Sequence, residues 1–409
     1  MKPMMLSVFM IAALLAACSK TPKAPEGTLF KDDVAFLKAH TKPVILAGQD
    51  GLAQVAVNPD LQGRVMTSSA GGPEGFSFGW INRELIASGE NNLHMNGFGG
   101  EDRFWLGPEG GQFSIFFKKG DPFDLDHWFT PPPINAGAFE VVDQQAERIH
   151  FRKAMHLQNY SGTQFDFELD RIIRLLGEDD VWALGLSVPE DVEMVAFASE
   201  NTVKNTGAAA WTKDTGLLSI WILGMFNPSP ETTIVIPFKA GPEEELGPAV
   251  NDTYFGKVPA DRLVVRDGVL FFSGDGKYRS KIGLSPRRAK PFAGSYDAAK
   301  KVLTVVHLTI PDGAAEYVNS MWEIQKDPFG GDVVNSYNDG PPSPGARPLG
   351  PFYELESSSP AAALGPGEAL SHVHTTIHFQ AREGSSLDEI AKAVFGVGIT
   401  EIESALKKK

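Results

Sequence analysis

Apolar residues in this chain fall mostly in short runs bounded by Gly, Pro, Asn or Asp, and many of the runs alternate with polar positions. The early runs are Val44–Leu46, Gln54–Val57, Arg64–Thr67, Phe113–Phe117 and Ala138–Val142. Then come Arg152–Leu157, Phe165–Leu175, Val192–Ala198, Leu217–Leu223 and Thr232–Pro237. Leu263–Phe272, Val302–Leu308, Tyr353–Ser357 and Val373–Phe379 complete the series. Their Val, Ile and Phe content predicts strands. Helical spacing is confined to the two ends. Lys31–His40 carries Val34, Phe36 and Leu37. Near the other end, Ser386 and Glu389 predict a capping box, with Leu387, Ile390 and Val394 on one helical face. Gly396 and Gly398 interrupt that helix, and Thr400–Lys408 predicts a second short one. Repeated strand–helix units are missing, which excludes Rossmann and TIM architectures. The expectation is an all-β body with a small C-terminal helical cap. The Pro/Gly-rich stretch Gly340–Pro351 reads as a long loop inside one large domain.

Composition narrows the function classes. With 409 residues, 42% of them hydrophobic, the chain can bury a substantial core. A net charge of −14 argues against a nucleic-acid partner. The first 17 residues read as a targeting segment: Lys2, then the apolar run Met4–Ala17, too short for a membrane span. Leu15-Ala16-Ala17-Cys18 resembles a bacterial lipobox, and Cys18 is the only cysteine in the chain. The expectation is a signal peptide over 1–17, a lipid on Cys18, and a tether with a short helix over 18–43. The β domain then spans 44–380 and the helical segment 381–409, with no membrane-spanning segment in the mature chain. Ser19 after the cysteine resembles an outer-membrane sorting signal, which places the protein in the bacterial envelope facing the periplasm.

Three polar clusters carry candidate chemistry. The Gly/Asn-rich stretch Asn91–Gly111 holds His94, Arg103, Trp105 and Glu109. A guanidinium fork beside an indole face suits a sugar ring, which offers hydroxyl edges and C–H faces. In an extended segment Glu354 and Glu356 share one face, and two neighbouring carboxylates raise each other's pKa toward general acid–base use. The third cluster alternates cleanly: His372, His374, Thr376 and His378 point one way, and Val373, Thr375, Ile377 and Phe379 the other. The turn Gly365-Pro366-Gly367-Glu368 lies between the last two segments and predicts an antiparallel hairpin in which Glu354 and Glu356 meet His372 and His374. Asn335, Asn338 and Asp339 precede it and can read hydroxyl groups, although such residues are also common in turns.

Short motifs across these regions resemble the galactose mutarotase (aldose 1-epimerase) superfamily, through a bacterial lipoprotein family related to it. They are Leu61-Gln62-Gly63-Arg64-Val65, Gly100–Glu109, Val203-Lys204-Asn205-Thr206-Gly207, Glu354–Pro360 and Leu364–Glu368, and the resemblance covers about residues 44–380. It implies a large antiparallel β-supersandwich with a carbohydrate cleft on one sheet. It also implies a glutamate base, at Glu354 or Glu356, acting on an anomeric hydroxyl. The histidine acid of that superfamily has no match after Asn205, where Thr206-Gly207 follows. The expected function is an envelope lipoprotein that binds a saccharide or acts on it. Glu354, Glu356, His372 and His374 are the catalytic candidates. Arg103, Trp105, Glu109, His94, Asn335, Asn338, Asp339 and His378 are the binding candidates. No cofactor is expected. A divalent metal on the histidine strand and a purely structural lipoprotein are the alternatives.

Overall fold

The computed structural model describes residues 28–407. The signal segment and Cys18 lie outside the described residues. Strands are numbered in chain order. β1 (Val44–Ala47), β2 (Gln54–Asn58), β3 (Arg64–Ser69), β4 (Arg103–Gly107), β5 (Glu140–Gln144) and β6 (Arg148–Gln158) come first. β7 (Gln164–Leu176), β8 (Val192–Asn205), β9 (Ser219–Phe226), β10 (Thr232–Pro237), β11 (Leu263–Arg266) and β12 (Val269–Ser273) follow. β13 (Ser280–Leu284), β14 (Phe292–Asp297), β15 (Val302–Leu308), β16 (Val334–Asn338), β17 (Tyr353–Ser358) and β18 (Ala369–Ala381) end the series. They form a ten-stranded sheet, β11-β12-β10-β14-β15-β18-β8-β7-β6-β5, a five-stranded sheet, β13-β16-β17-β9-β4, and a three-stranded sheet, β1-β2-β3. Every pairing between these strands is antiparallel. The protein is therefore a large antiparallel β assembly with a short C-terminal helical segment.

The two smaller sheets pack on one face of the ten-stranded sheet. Phe151, Phe167 and Phe197 meet Val57, Val65, Phe104 and Leu106 in one core. Ile234, Phe272 and Val306 meet Ile282, Val334 and Leu355 in another. Gly63, in the Leu61–Val65 motif, sits where these layers touch. Its φ of +58° and a Phe151 ring carbon 2.8 Å from any Cβ placed there both require glycine. The helix Phe30–His40 buries Phe30 and Leu37 against Ala56 and Met66 of the small sheet. The C-terminal helices, Asp388–Phe395 and Ile399–Ser404, cover the opposite face of the ten-stranded sheet. There Ile390, Val394 and Ile402 pack among Val235, Leu303, Ile377 and Phe379.

Several local expectations need correction. Phe113–Phe117 is irregular chain, because its rings fill the core from a loop. Leu263–Phe272 is a hairpin, turned by Asp267-Gly268 with Gly268 at φ +77°. The stretch Arg103–Gly107 and the residues before the Gly340 loop, absent from the predicted strands, are strands β4 and β16. Ser386 caps no helix. It hydrogen-bonds Asp191, and a 3₁₀ turn, Gly384–Leu387, leads into the helix.

The expected hairpin does not form. β17 pairs with β16 and β9 in the five-stranded sheet, whereas β18 pairs with β8 and β15 in the ten-stranded sheet. The chain between them crosses from one layer to the other, so the two strands meet face to face. Ser357 Oγ lies 2.8 Å from both His372 Nε2 and His374 Nδ1 across the interior.

Candidate functional site

Register on the five-stranded sheet gathers the site. Directly opposed residues in antiparallel strands point to the same face. One row reads Lys281–Tyr337–Glu354–Met225, and the next Asn335–Glu356–Leu223–Arg103. A third pairs Trp221 with Trp105. This face points away from the ten-stranded sheet and floors a cleft of about 380 Å³. Loops supply the walls: Asn92, His94 and Met95 on one side, Trp128 and Trp322 on another, and Gly340, Arg347 and Leu349 from the Pro/Gly-rich loop. Four of the seven tryptophans, Trp105, Trp128, Trp221 and Trp322, line it, so its walls are largely π-faces.

Charge lies among these rings in pairs. Arg103 Nη2 donates to Glu354 Oε1 at 3.3 Å, and its guanidinium stacks 4.0 Å over Trp105. Lys281 Nζ and Trp221 Nε1 each donate to Glu356 Oε2 at 2.9 Å, which fixes the Trp221 ring through its edge. Burial raises Glu354 far above the ordinary carboxylate range, to about 8; Arg103 opposes the rise and Glu356 adds to it. Burial also raises Glu109, against the pull of Lys281, and Asp339, against hydrogen bonds from the Gly350 N–H and the Tyr337 hydroxyl.

The sequence-derived candidates divide by face. Arg103, Trp105, Glu109, His94, Asp339 and Glu354 line the cleft. Glu356 lies buried in the same face beneath Trp221 and Lys281. The His94 ring Nδ1 faces the Trp128 carbonyl at 2.7 Å, which only accepts, so Nδ1 carries the proton and Nε2 is left for a ligand. Asn335 turns to the Tyr254 hydroxyl and the Ile282 carbonyl in an adjoining small pocket. Asn338 points to the other face and binds Asp275 and the Tyr278 carbonyl.

His372, His374 and His378 do not reach the cleft. The carboxylates of β17 face outward, and the histidines of β18 face the interior from the other layer. Burial pushes His372 down to about 3 and His374 to about 4, so both are neutral imidazoles in the folded protein. His378 stacks on Phe78 and binds Glu101 at 2.9 Å. Beside them Arg171, Asp102, Ser199 and Asn201 form a buried network. Among the described residues, no group of three or more His, Cys, Asp or Glu is placed to hold a metal ion, and no helix is long and apolar enough to cross a membrane.

Sequence reading missed Trp221, Trp128, Trp322, Lys281 and Arg279. Trp221 is hidden in the fully buried run Ser219–Phe226. Lys281, the lone charge in Ser280–Leu284, is a usable signal because a lysine is rarely buried in a strand unless it is paired.

This architecture defines a class. It has distant counterparts among solved proteins, and the likeness is one of fold. It shares its fold with the Slr1438 protein from Synechocystis sp. PCC 6803, at TM-score 0.50 and 13% identity over 84% of this chain and 96% of that one. It is also similar to a galactose mutarotase-like protein from Lactobacillus casei ATCC 334, at TM-score 0.46 and 10% identity over 83% and 100% of the two chains. A galactose mutarotase related enzyme from Lactobacillus acidophilus matches at TM-score 0.45 and 11% identity, over 83% and 98%. The chain belongs to the family of unknown function DUF6786, whose model matches residues 28–406. A search of curated proteins found no match.

Proposed function

We propose that this protein is an envelope lipoprotein that binds a saccharide in the tryptophan-lined cleft and acts on it through Glu354. The observation that carries the reading is the Arg103–Glu354 pair, buried at the end of an indole floor. Trp105 and Trp221 supply faces for sugar C–H groups. Arg103 donates to ring or hydroxyl oxygens and holds Glu354 in place. A carboxyl raised toward neutrality exchanges a proton with a sugar hydroxyl most readily at that pH, which is the role of a general base or acid in an epimerase-like step. His94 Nε2 is the cleft imidazole open to the same ligand. His372 and His374 take no part, because they lie in the other layer.

Isothermal titration against a panel of mono- and oligosaccharides tests the binding step, and polarimetry on any sugar that binds tests the chemistry. We expect Glu354→Gln to keep binding and lower turnover by about 10²–10⁴, the range of a lost acid–base group. Absence of heat with every sugar in the panel sinks the proposal.

A further inference from the structure

We propose that the cleft selects an acidic saccharide and seats its anionic group on Arg279. This rests on the saccharide reading above and names the ligand class for the same site.

The argument is an inventory of partners. Four cations line the cleft: Arg103, Arg279, Lys281 and Arg347. Arg103 is paired with Glu354 at 3.3 Å and Lys281 with Glu356 at 2.9 Å. Arg347 reaches out to Glu84 at 2.8 Å, where both side chains are exposed. Arg279 makes no ion pair among the described residues. Its guanidinium lies 3.8 Å from the centroid of the Phe255 ring, a contact that holds the plane but occupies none of its N–H groups.

Arg279 acts electrostatically on Asp339 and Glu109, and both acids hold other partners, Glu109 through a hydrogen bond from Trp322. Asp339 accepts from the Tyr337 hydroxyl and from the Gly350 N–H, both at 2.8 Å. Burial raises Asp339 and Glu109, which lowers the negative charge they present beside Arg279. The buried nitrogens of the cleft point to the same ligand. Arg103 Nε, Trp105 Nε1 and Trp128 Nε1 are buried donors without a hydrogen-bond partner, against one such acceptor on the same face, Glu356 Oε1. A donor-rich pocket is matched by a ligand rich in acceptors, and a carboxylate or phosphate supplies acceptors with charge and a planar or forked geometry that a guanidinium fits. The surrounding protein is strongly acidic, at −14, so a site that welcomes an anion must be built locally.

The test is titration calorimetry of the full-length protein with glucuronate, galacturonate and glucose 6-phosphate, set against glucose and galactose, at low and at physiological ionic strength. We expect an acidic sugar to bind about tenfold or more tighter than its neutral parent, as a charge-assisted contact implies. The advantage should shrink as salt is added. The stronger of the carboxylate and phosphate arms identifies the anion. Arg279→Gln should collapse the difference between acidic and neutral sugars, and Arg279→Lys should restore part of it. Neutral sugars binding as tightly as acidic ones, or a preference that survives Arg279→Gln, overturns this inference and leaves the saccharide reading standing. Failure of every sugar, neutral or acidic, overturns both.

Discussion

Two kinds of buried titratable residue pull this protein's pH response in opposite directions. Glu354 has a folded pKa of about 8 against an ordinary 4.5. Its neutral form is favoured in the fold, so its contribution to stability is full below about pH 4.5 and is lost as pH rises toward 8. His372 and His374 run the other way. Their folded values of about 3 and 4 lie below the ordinary 6.5, so their contribution is full above about pH 6.5 and is lost as pH falls. Thermal midpoints should therefore peak in the weakly acidic range. Glu354→Gln should flatten the alkaline limb and leave the acid limb in place. His374→Asn should soften the acid limb only. Melting curves across pH 4–9 (a range of about five units around these values) check both. If Glu354→Gln leaves the decline between pH 6 and 8 untouched, Glu354 is not the group that titrates there.

Among the secondary elements, the C-terminal helices make the most accessible test, because they lie across the ten-stranded sheet from the cleft. Ile402 is fully buried among Ile390, Val305 and Phe379. Ile402→Ala should cost about 2–5 kcal/mol in urea unfolding, with saccharide affinity unchanged. A parallel loss of affinity would show that the cap and the cleft are coupled. Elements also show where sequence reading succeeds and fails. β7 alternates over thirteen residues with one buried face, and that rhythm is legible. The helical cap is legible too, since Leu387, Ile390 and Val394 are all buried. β4 is not, because both of its faces are covered and flanking glycines mimic a loop. β16 reads as a turn because its Asn and Tyr side chains line pockets and bind neighbouring loops. The Glu354–Glu356 and His372–His378 segments are strands that alternate as the sequence predicts. Alternation fixes which residues share a face, but it does not distinguish a partner beside the strand from one stacked above it. That ambiguity put the histidines on the wrong side of Glu354. Arg103, Trp105 and Glu354 could be named as candidates from the sequence. Their meeting depended on β9, which pairs with both β4 and β17 and carries no polar signal of its own.

For the whole molecule, placement in the cell is the property tested by the N-terminal sequence. If Cys18 carries the lipid, Cys18→Ser should release the protein from the membrane fraction while the β body stays folded and keeps its cleft. Fractionation and intact-mass measurement in the native host check this; an unmodified N-terminus at another residue would refute it. The body itself is joined by long-range contacts. Arg103 and Glu354, the pair at the centre of the cleft, are 251 residues apart in sequence. β4 is the early edge of the five-stranded sheet, and β17 is its last strand in chain order. The ribosome and the export machinery both handle a chain in order, from its first residue onward. A product halted or clipped before Tyr353 therefore carries all four tryptophans of the cleft and no Glu354. It can present stickiness toward sugars but not chemistry. Turnover, once measured, thus serves the cell's purposes and the experimenter's alike as a certificate that synthesis ran through to Ser358 and that its earliest and latest strands found each other.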